Sequence, residues 1–256
     1  MQRYMISKGL NEFSTAPLFL SGDHYHHMKN VMRFKPGTKV YVTDPNSYSC
    51  IGEIIEYTSE KQVILKWVAD EGKNNELPID VTIACGLPKG DKLDLIIQKS
   101  TELGVNTIIP FSSDYSIVKW DESKKKKKQQ RFQKITQEAA EQAHRQAVPK
   151  IEILKTMDEL LTFSNDYQFK LVAYEEDAKA GEQGAFAKTL QQMKRGERLL
   201  IIFGPEGGLS PAEIDKFREK DFLTCGLGPR ILRTETAPLY ALSAISYQFE
   251  LLNRGD

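Results

Sequence analysis

Cysteine is scarce: among 256 residues there are three, Cys50, Cys85 and Cys225. An odd, widely separated set offers neither a disulfide framework nor a zinc-ligand spacing, and it suits a reducing compartment. Net charge is lacking as well. Lys and Arg number 35 and Asp and Glu 35, a formal balance of zero, so any affinity for nucleic acid or membrane must come from local patches. No apolar run approaches the ~20 residues needed to span a bilayer. The start, Met1 to Lys8, lacks the apolar stretch of a secretory signal. A soluble, cytoplasmic protein is therefore expected. The glycine fingerprints of nucleotide enzymes are missing too, since neither G-x-G-x-x-G nor the Lys-Ser/Thr of a Walker loop is found, which counts against a nucleotide-dependent metabolic enzyme.

What is present falls into two rhythms. Up to about residue 75 short β-branched and aromatic runs, Lys39 to Thr43, Ile51 to Tyr57 and Gln62 to Val68, alternate with turn formers and predict a small β-barrel. Only His24 to Phe34 reads as helix there. The polar stretch Glu71 to Pro78 is a plausible linker, which divides the chain into 1–74 and 75–256. Beyond it, strands at Ile79 to Ala84, Thr107 to Phe111, Ile151 to Leu154, Phe169 to Tyr174, Leu199 to Phe203 and Leu223 to Leu227 alternate with helices. The helices are expected at Lys92 to Leu103, capped by Asp91 and closed by Gly104, then Ser123 to Ala147, Met157 to Thr162, Ala185 to Lys194 and Ala237 to Leu252. That alternation predicts an α/β domain with a parallel sheet covered on both faces.

Two glycine-ended strands carry the strongest functional signal. Leu199 to Phe203 runs into Gly204-Pro-Glu-Gly-Gly208, and Leu223 to Leu227 into Gly228 and the segment to Ala237. Ligands of open α/β folds gather where strands end. Ser210 with Glu213 and Pro211 form a helix-capping box, but that leaves Gly204 to Gly208 unexplained, and three glycines around a glutamate suggest a close backbone approach. Arg233, Thr234, Glu235 and Thr236 precede an apolar helix. A cap by Thr234 or Thr236 with an exposed ion pair would account for them structurally, yet beside the glycine loop Arg233 and Glu235 would complement a reacting base. Between Lys119 and Lys134 stand eight basic and two acidic residues, led by Lys124 to Lys128. Lysines at a helix start oppose its dipole, so the run is open to either solvation or phosphate binding. His24, His26 and His27 lack partners at metal-ligand spacing, and no metal is expected.

The ordered motifs resemble one family. His26 to Arg33, Lys89 to Val105, Glu138 to Arg145, Gly204 to Gly208 and Leu227 to Ala237 together look like the SPOUT superfamily of S-adenosylmethionine-dependent RNA methyltransferases, and most closely the RsmE family, which N3-methylates a uridine of 16S ribosomal RNA. The resemblance implies a PUA-like RNA-binding barrel at 1–74, a SPOUT domain with a deep trefoil knot at 75–256, and a homodimer. It implies cofactor binding by Phe203, Gly204, Pro205, Glu206, Gly207, Gly208, Leu227, Gly228, Ile231, Leu232, Arg233, Thr236 and Ala237.

Uridine N3 is largely protonated at neutral pH, so its methylation needs a proton acceptor or a site that holds the anion. Glu235 and Glu206 are candidate bases, and Arg233 a candidate for anion stabilisation. Arg3, Lys29, Arg33, Lys89, Lys92 and Arg145 are candidate RNA contacts, on naked 16S rRNA or the assembled small subunit. The alternative keeps the fold without catalysis, as an RNA-binding ribosome-assembly factor.

Overall fold

The computed structural model describes residues 1–118, 120–154, 156–174 and 184–252; Lys119, part of the basic stretch, lies outside them. The chain divides into two compact units, Met1–Glu76 with Ala140–Ala147, and Leu77–Ala139 with Val148–Asp256.

The first unit is built on β1 (Arg3–Met5), β2 (Leu18–Leu20), β3 (Lys39–Thr43), β4 (Ser49–Tyr57) and β5 (Val63–Asp70). They pair in the order β1-β3-β4-β5-β2, parallel between β1 and β3 and antiparallel elsewhere. All five contribute to one core, through Tyr4, Leu20, Val40, Val42, Cys50, Ile54, Val63 and Leu65. The helix expected at His24 to Phe34 is instead a single α turn, α1 (Asp23–His26), continuing as a π turn over His27–Val31. It stops where Arg33 takes a left-handed backbone with φ 53°.

This unit contains buried charges. Arg3, fully buried, donates through Nη1 to Thr43 Oγ1 at 2.6 Å and Ser49 Oγ at 2.7 Å, and pairs through Nη2 with Glu71 at 2.6 Å. Arg145 is held by Glu76, with Nε 3.0 Å from Oε2, while Glu76 Oε1 accepts the backbone N–H groups of Gln146 and Ala147. The sequence places both arginines among the candidate RNA contacts. Their guanidiniums are instead enclosed in ion pairs, Arg3 tying β1 to the segment that follows β5 and Arg145 tying Ala140–Ala147 to that same segment. Burial alone would raise the Glu71 carboxyl; donation from Arg3 and Ser49, the Arg3 charge and Gln146 overcome it and hold it below the usual glutamate range.

The second unit centres on six parallel strands: β6 (Asp80–Gly86), β7 (Thr107–Phe111), β8 (Lys150–Ile151), β9 (Phe169–Ala173), β10 (Arg198–Phe203) and β11 (Leu223–Cys225). Their order is β11-β9-β10-β6-β7-β8. The chain runs outward from β6 through β7 and β8, then returns to lay the last three strands on the other side. Alternate residues of β10 enter two cores: Leu199, Ile201 and Phe203 one, Leu200 and Ile202 the other. An apolar run buried on both faces is what a central parallel strand requires.

Helices α2 (Lys92–Glu102), α3 (Glu122–Gln142), α5 (Ala185–Gln192) and α7 (Thr236–Ser246) supply Ile96, Phe132, Leu190 and Leu242 to the first core. Helices α4 (Met157–Phe163) and α6 (Pro211–Arg218) supply Leu160 and Phe217 to the second. Gly104, with φ +95°, closes α2 by the expected motif: its N–H reaches Thr101 O and that of Val105 reaches Ser100 O. Asp91 precedes α2 but makes no side-chain cap. Helix α3 stops at Gln142, short of the expected Ala147, because His144 adopts φ 57° and Arg145 N–H bonds back to Ala140 O. That closure is the same Schellman geometry with histidine in place of glycine. Among the described residues no helix is long and apolar enough to cross a membrane.

Candidate active site

Three neighbouring strands of the second unit end level with one another. Phe203 of β10 is in register with Ala173 of β9, and Ala173 with Cys225 of β11. Their carboxyl ends form the floor of a cavity of about 610 Å³, walled by the loops that follow each strand. This is within the usual range for a small-molecule site, roughly 300–1,000 Å³. Phe203 to Leu209 forms one wall and Cys225 to Gly228 the next, which Arg230 to Thr234 and Ala237 continue.

The glycine loop is tight for reasons internal to the protein. A Cβ on Gly204 would lie 2.9 Å from the backbone carbon of Gly208, and one on Gly86, at the end of β6, 2.5 Å from Pro205 Cδ. Gly208 N–H closes the turn onto Pro205 O. The loop therefore folds back on itself and packs on the end of β6, and its glycines serve that packing before they serve any ligand. Beyond it the expected capping box is present. Ser210 accepts from Glu213 N and Glu213 from Ser210 N. The same two residues also hold Asp114, through Ser210 Oγ at 2.6 Å and Asp114 N–H to Glu213 at 3.0 Å. This holds the segment that brings Tyr115 to the cavity.

Charge gathers at one edge. Lys92, at the start of α2, lines the cavity and directs Nζ to Glu206 Oε1 at 2.9 Å and Glu235 Oε2 at 3.3 Å. Lys89 N–H also donates to Glu206 Oε1, at 3.1 Å. Burial pushes the Glu206 carboxyl upward, but Lys92 and backbone N–H donation outweigh it and leave it below the usual range. The Lys92 ammonium is raised, chiefly by its bond to Glu206. The Glu235 contact is an ion pair without hydrogen-bond geometry, so buried Oε2 has no hydrogen-bond partner. Arg233 is exposed at the cavity wall with no side-chain partner among the described residues. Its carbonyl accepts the N–H groups of Thr236 and Ala237. Glu235 occupies the N-cap position of α7 without capping it; the cap considered for Thr234 or Thr236 is not formed. The first turn of α7 is closed by the two bonds to the Arg233 carbonyl, and its third residue, Pro238, has no N–H to offer.

Of the residues expected to hold a cofactor, all but Thr236 line this cavity; Glu235 does not line it but contacts Lys92, which does. Lys92, expected as an RNA contact, lines this cavity as well. Leu209, Pro211, Cys225, Gly226, Arg230 and Thr234, within or beside the two glycine-ended segments, also line it, as do Tyr115, Ala173 and Tyr174, to which no sequence motif points. The available signal is positional: Tyr115 and Tyr174 follow the carboxyl ends of β7 and β9.

Lys29 and Arg33 are exposed on the first unit, and Lys29 Nζ sits 5.2 Å from the ring centres of both Tyr25 and Tyr57. In α3, Lys124 contacts Asp121 at 3.4 Å, Lys128 lies over Trp120 and Phe132, and Lys126 and Lys127 are exposed. Asp121 caps the helix through Lys124 N–H, which with Ser123 holds its carboxyl at about 2. Among the described residues no three or more His, Cys, Asp or Glu are grouped to hold a metal ion. His27 Nδ1 bonds Tyr4 at 2.9 Å and His26 Nδ1 bonds Asn30 at 3.0 Å. All three cysteines are buried, and burial pushes the Cys50 and Cys85 thiols up to about 12.

Comparison with known proteins decides the lineage. Residues 75–246 match the RNA methyltransferase domain family and residues 20–66 the RNA methyltransferase PUA domain family. The chain is 48% identical to ribosomal RNA small subunit methyltransferase E of Bacillus subtilis over the full length of both. The chain belongs to that family. It is also 31% identical to the protein of the same name from Buchnera aphidicola subsp. Schizaphis graminum, over 90% of each chain. A crystal structure of ribosomal RNA small subunit methyltransferase E from Neisseria gonorrhoeae bound to S-adenosyl methionine superposes with a TM-score of 0.81 at 26% identity, covering 97% of this chain and 98% of that one. The family expected from the five sequence motifs is the family found, and the parallel α/β architecture is shared.

Proposed function

We propose that this chain transfers a methyl group from S-adenosylmethionine to N3 of a uridine in 16S ribosomal RNA of the small subunit, in the cavity at the ends of β9, β10 and β11. The observation that carries this reading is the juxtaposition of a ligand-sized cavity with a cluster of two carboxylates and an ammonium on its edge. The residues present fit the cofactor. Apolar Phe203, Leu227 and Leu232 and the backbone of the Gly204–Gly208 turn suit adenine and ribose, and charged groups gather at one edge. When bound, S-adenosylmethionine supplies an electrophilic methyl on a sulfonium, so positioning carries much of the acceleration. The chain's own residues must accept the N3 proton and hold the charge left on O2 and O4. Glu206 and Glu235, whose Oε2 receives no hydrogen bond, are the acceptors at hand, and Arg233 is the donor for an anionic carbonyl oxygen.

Residues 1–74 are read as the RNA grip, with Lys29 and Arg33 as phosphate contacts, and Lys89 as a contact from the second unit. Exposed Tyr240, Tyr247 and Leu251 recur at intervals of seven and four along the last helical segment, an apolar stripe suited to a second copy of the chain. The protein is accordingly read as a cytoplasmic homodimer. The test is incubation with labelled S-adenosylmethionine and small ribosomal subunits lacking the modification, followed by digestion to nucleosides. Label in N3-methyluridine is expected. Cofactor binding with no label in any nucleoside would replace catalysis by the assembly-factor reading.

A further inference from the structure

We propose that Lys92 is a positioning residue for methyl transfer: its ammonium ties Glu206 and Glu235, one from each ligand loop, into a single rigid acceptor pair at the cavity edge. The inference rests on the proposed function. Its basis is geometric. Nζ lies 2.9 Å from Glu206 and 3.3 Å from Glu235, and these three side chains come from three separate segments of the second unit. Glu206 is further fixed by Lys89 N–H. Without a cation between them, two carboxylates this close to one ammonium would repel, and one would take up a proton. With it, the cluster of two carboxylates and one ammonium keeps a net negative charge at the place where a proton has to be accepted. Glu235 Oε2, buried and in ion-pair contact with Lys92 but outside hydrogen-bond geometry, is held in place by that cation alone among the described residues, while Glu206 lines the cavity itself.

The same geometry argues against Lys92 as a phosphate contact. Its side chain is 31% exposed and already satisfied by two carboxylates, so an approaching phosphate would meet a net negative cluster. The other titratable residues that line the cavity are Arg230, Arg233, Tyr115, Tyr174 and Cys225. The arginines are the groups placed to meet an anion.

The test uses the full chain with Lys92→Met and Lys92→Arg. In cofactor-free protein labelled with ¹³C-glutamate, NMR titration follows the side-chain carboxyl carbons of Glu206 and Glu235. Lys92→Met is expected to move the Glu206 midpoint upward, since the Lys92 bond is the main cause that lowers it. Lys92→Arg keeps it near the wild-type position. In turnover, Lys92→Met lowers kcat on the order of a hundredfold and moves its acid limb to higher pH, while KM for RNA and its salt dependence stay put. An unmoved carboxyl titration overturns the proposal. So does intact kcat with a raised KM for RNA and a shallower salt dependence, which would return Lys92 to phosphate binding. Failure of the wild-type protein to bind S-adenosylmethionine or transfer methyl would overturn the proposed function instead, and the titration would still show whether Lys92 sets the carboxylates.

Discussion

The two units use the same chemistry, basic side chains against glutamates, at very different depth. In the first, Arg3 with Glu71 and Arg145 with Glu76 are enclosed, at 0 and 5% and at 3 and 14% side-chain exposure. In the second, Lys92 with Glu206 and Glu235 stands at 31, 31 and 19%. Burial decides what each can do. An enclosed pair cannot exchange partners with a ligand, and removing one member strands the other charge. A pair at a cavity edge contributes little to stability and can hand a lone pair to a substrate. Arginine suits the first role because its planar fork meets several acceptors at once; lysine suits the second as a compact charge that two carboxylates can share.

Replacing Arg3 by Met should have the most severe effect on this contrast. It leaves Glu71 buried without its cation, and a loss of about 3–5 kcal/mol is expected, read from denaturant unfolding. Glu235→Gln should do the reverse. Turnover at saturating cofactor is expected to fall on the order of a hundredfold, while unfolding changes by no more than about 0.5 kcal/mol; full turnover would remove Glu235 as a proton acceptor. Acid should separate the two kinds of pair as well. Folded Glu71 titrates below its unfolded range, so its contribution is complete above the ordinary glutamate range and drains away as pH falls through the lowered value. Wild-type stability should therefore decline on acidification more steeply than that of Glu71→Gln. The smallest effect belongs to the α3 lysines. Lys124, Lys126 and Lys127 changed together to Gln should weaken RNA binding a few-fold and flatten its salt dependence, by roughly 0.7–0.9 in the log–log slope for each phosphate no longer neutralised. An unchanged slope would make the run a solvated helix face.

What could be read from the sequence depended on whether a residue's partner was near it in the chain. Leu199 to Phe203 is legible because a doubly buried strand must be apolar throughout, and Ser210 with Glu213 because a cap is written within four residues. Strands β1 and β2, of three residues each, are too short to show a period. Arg3 and Arg145 read as surface charges because their partners stand 68 and 69 positions away. Lys92 reads as an RNA contact for the same reason, its first partner lying 114 positions on. The glycine loop does form a cavity wall, but its glycines answer to Gly208 and Gly86 rather than to a ligand alone. Tyr115 and Tyr174 carry no local mark, and only the order of strands brings them to the site.

The most direct test of the cavity as the methyl-donor site is a calorimetric titration of S-adenosylmethionine into the wild-type chain and into Gly204→Ala. The added Cβ would meet the Gly208 backbone at 2.9 Å and force the turn open. Saturable binding in the wild type, weakened at least roughly tenfold in the variant while the second unit stays folded, is the expected result. Equal affinity in both proteins, or no binding to either, would contradict the assignment of the cavity to the methyl donor.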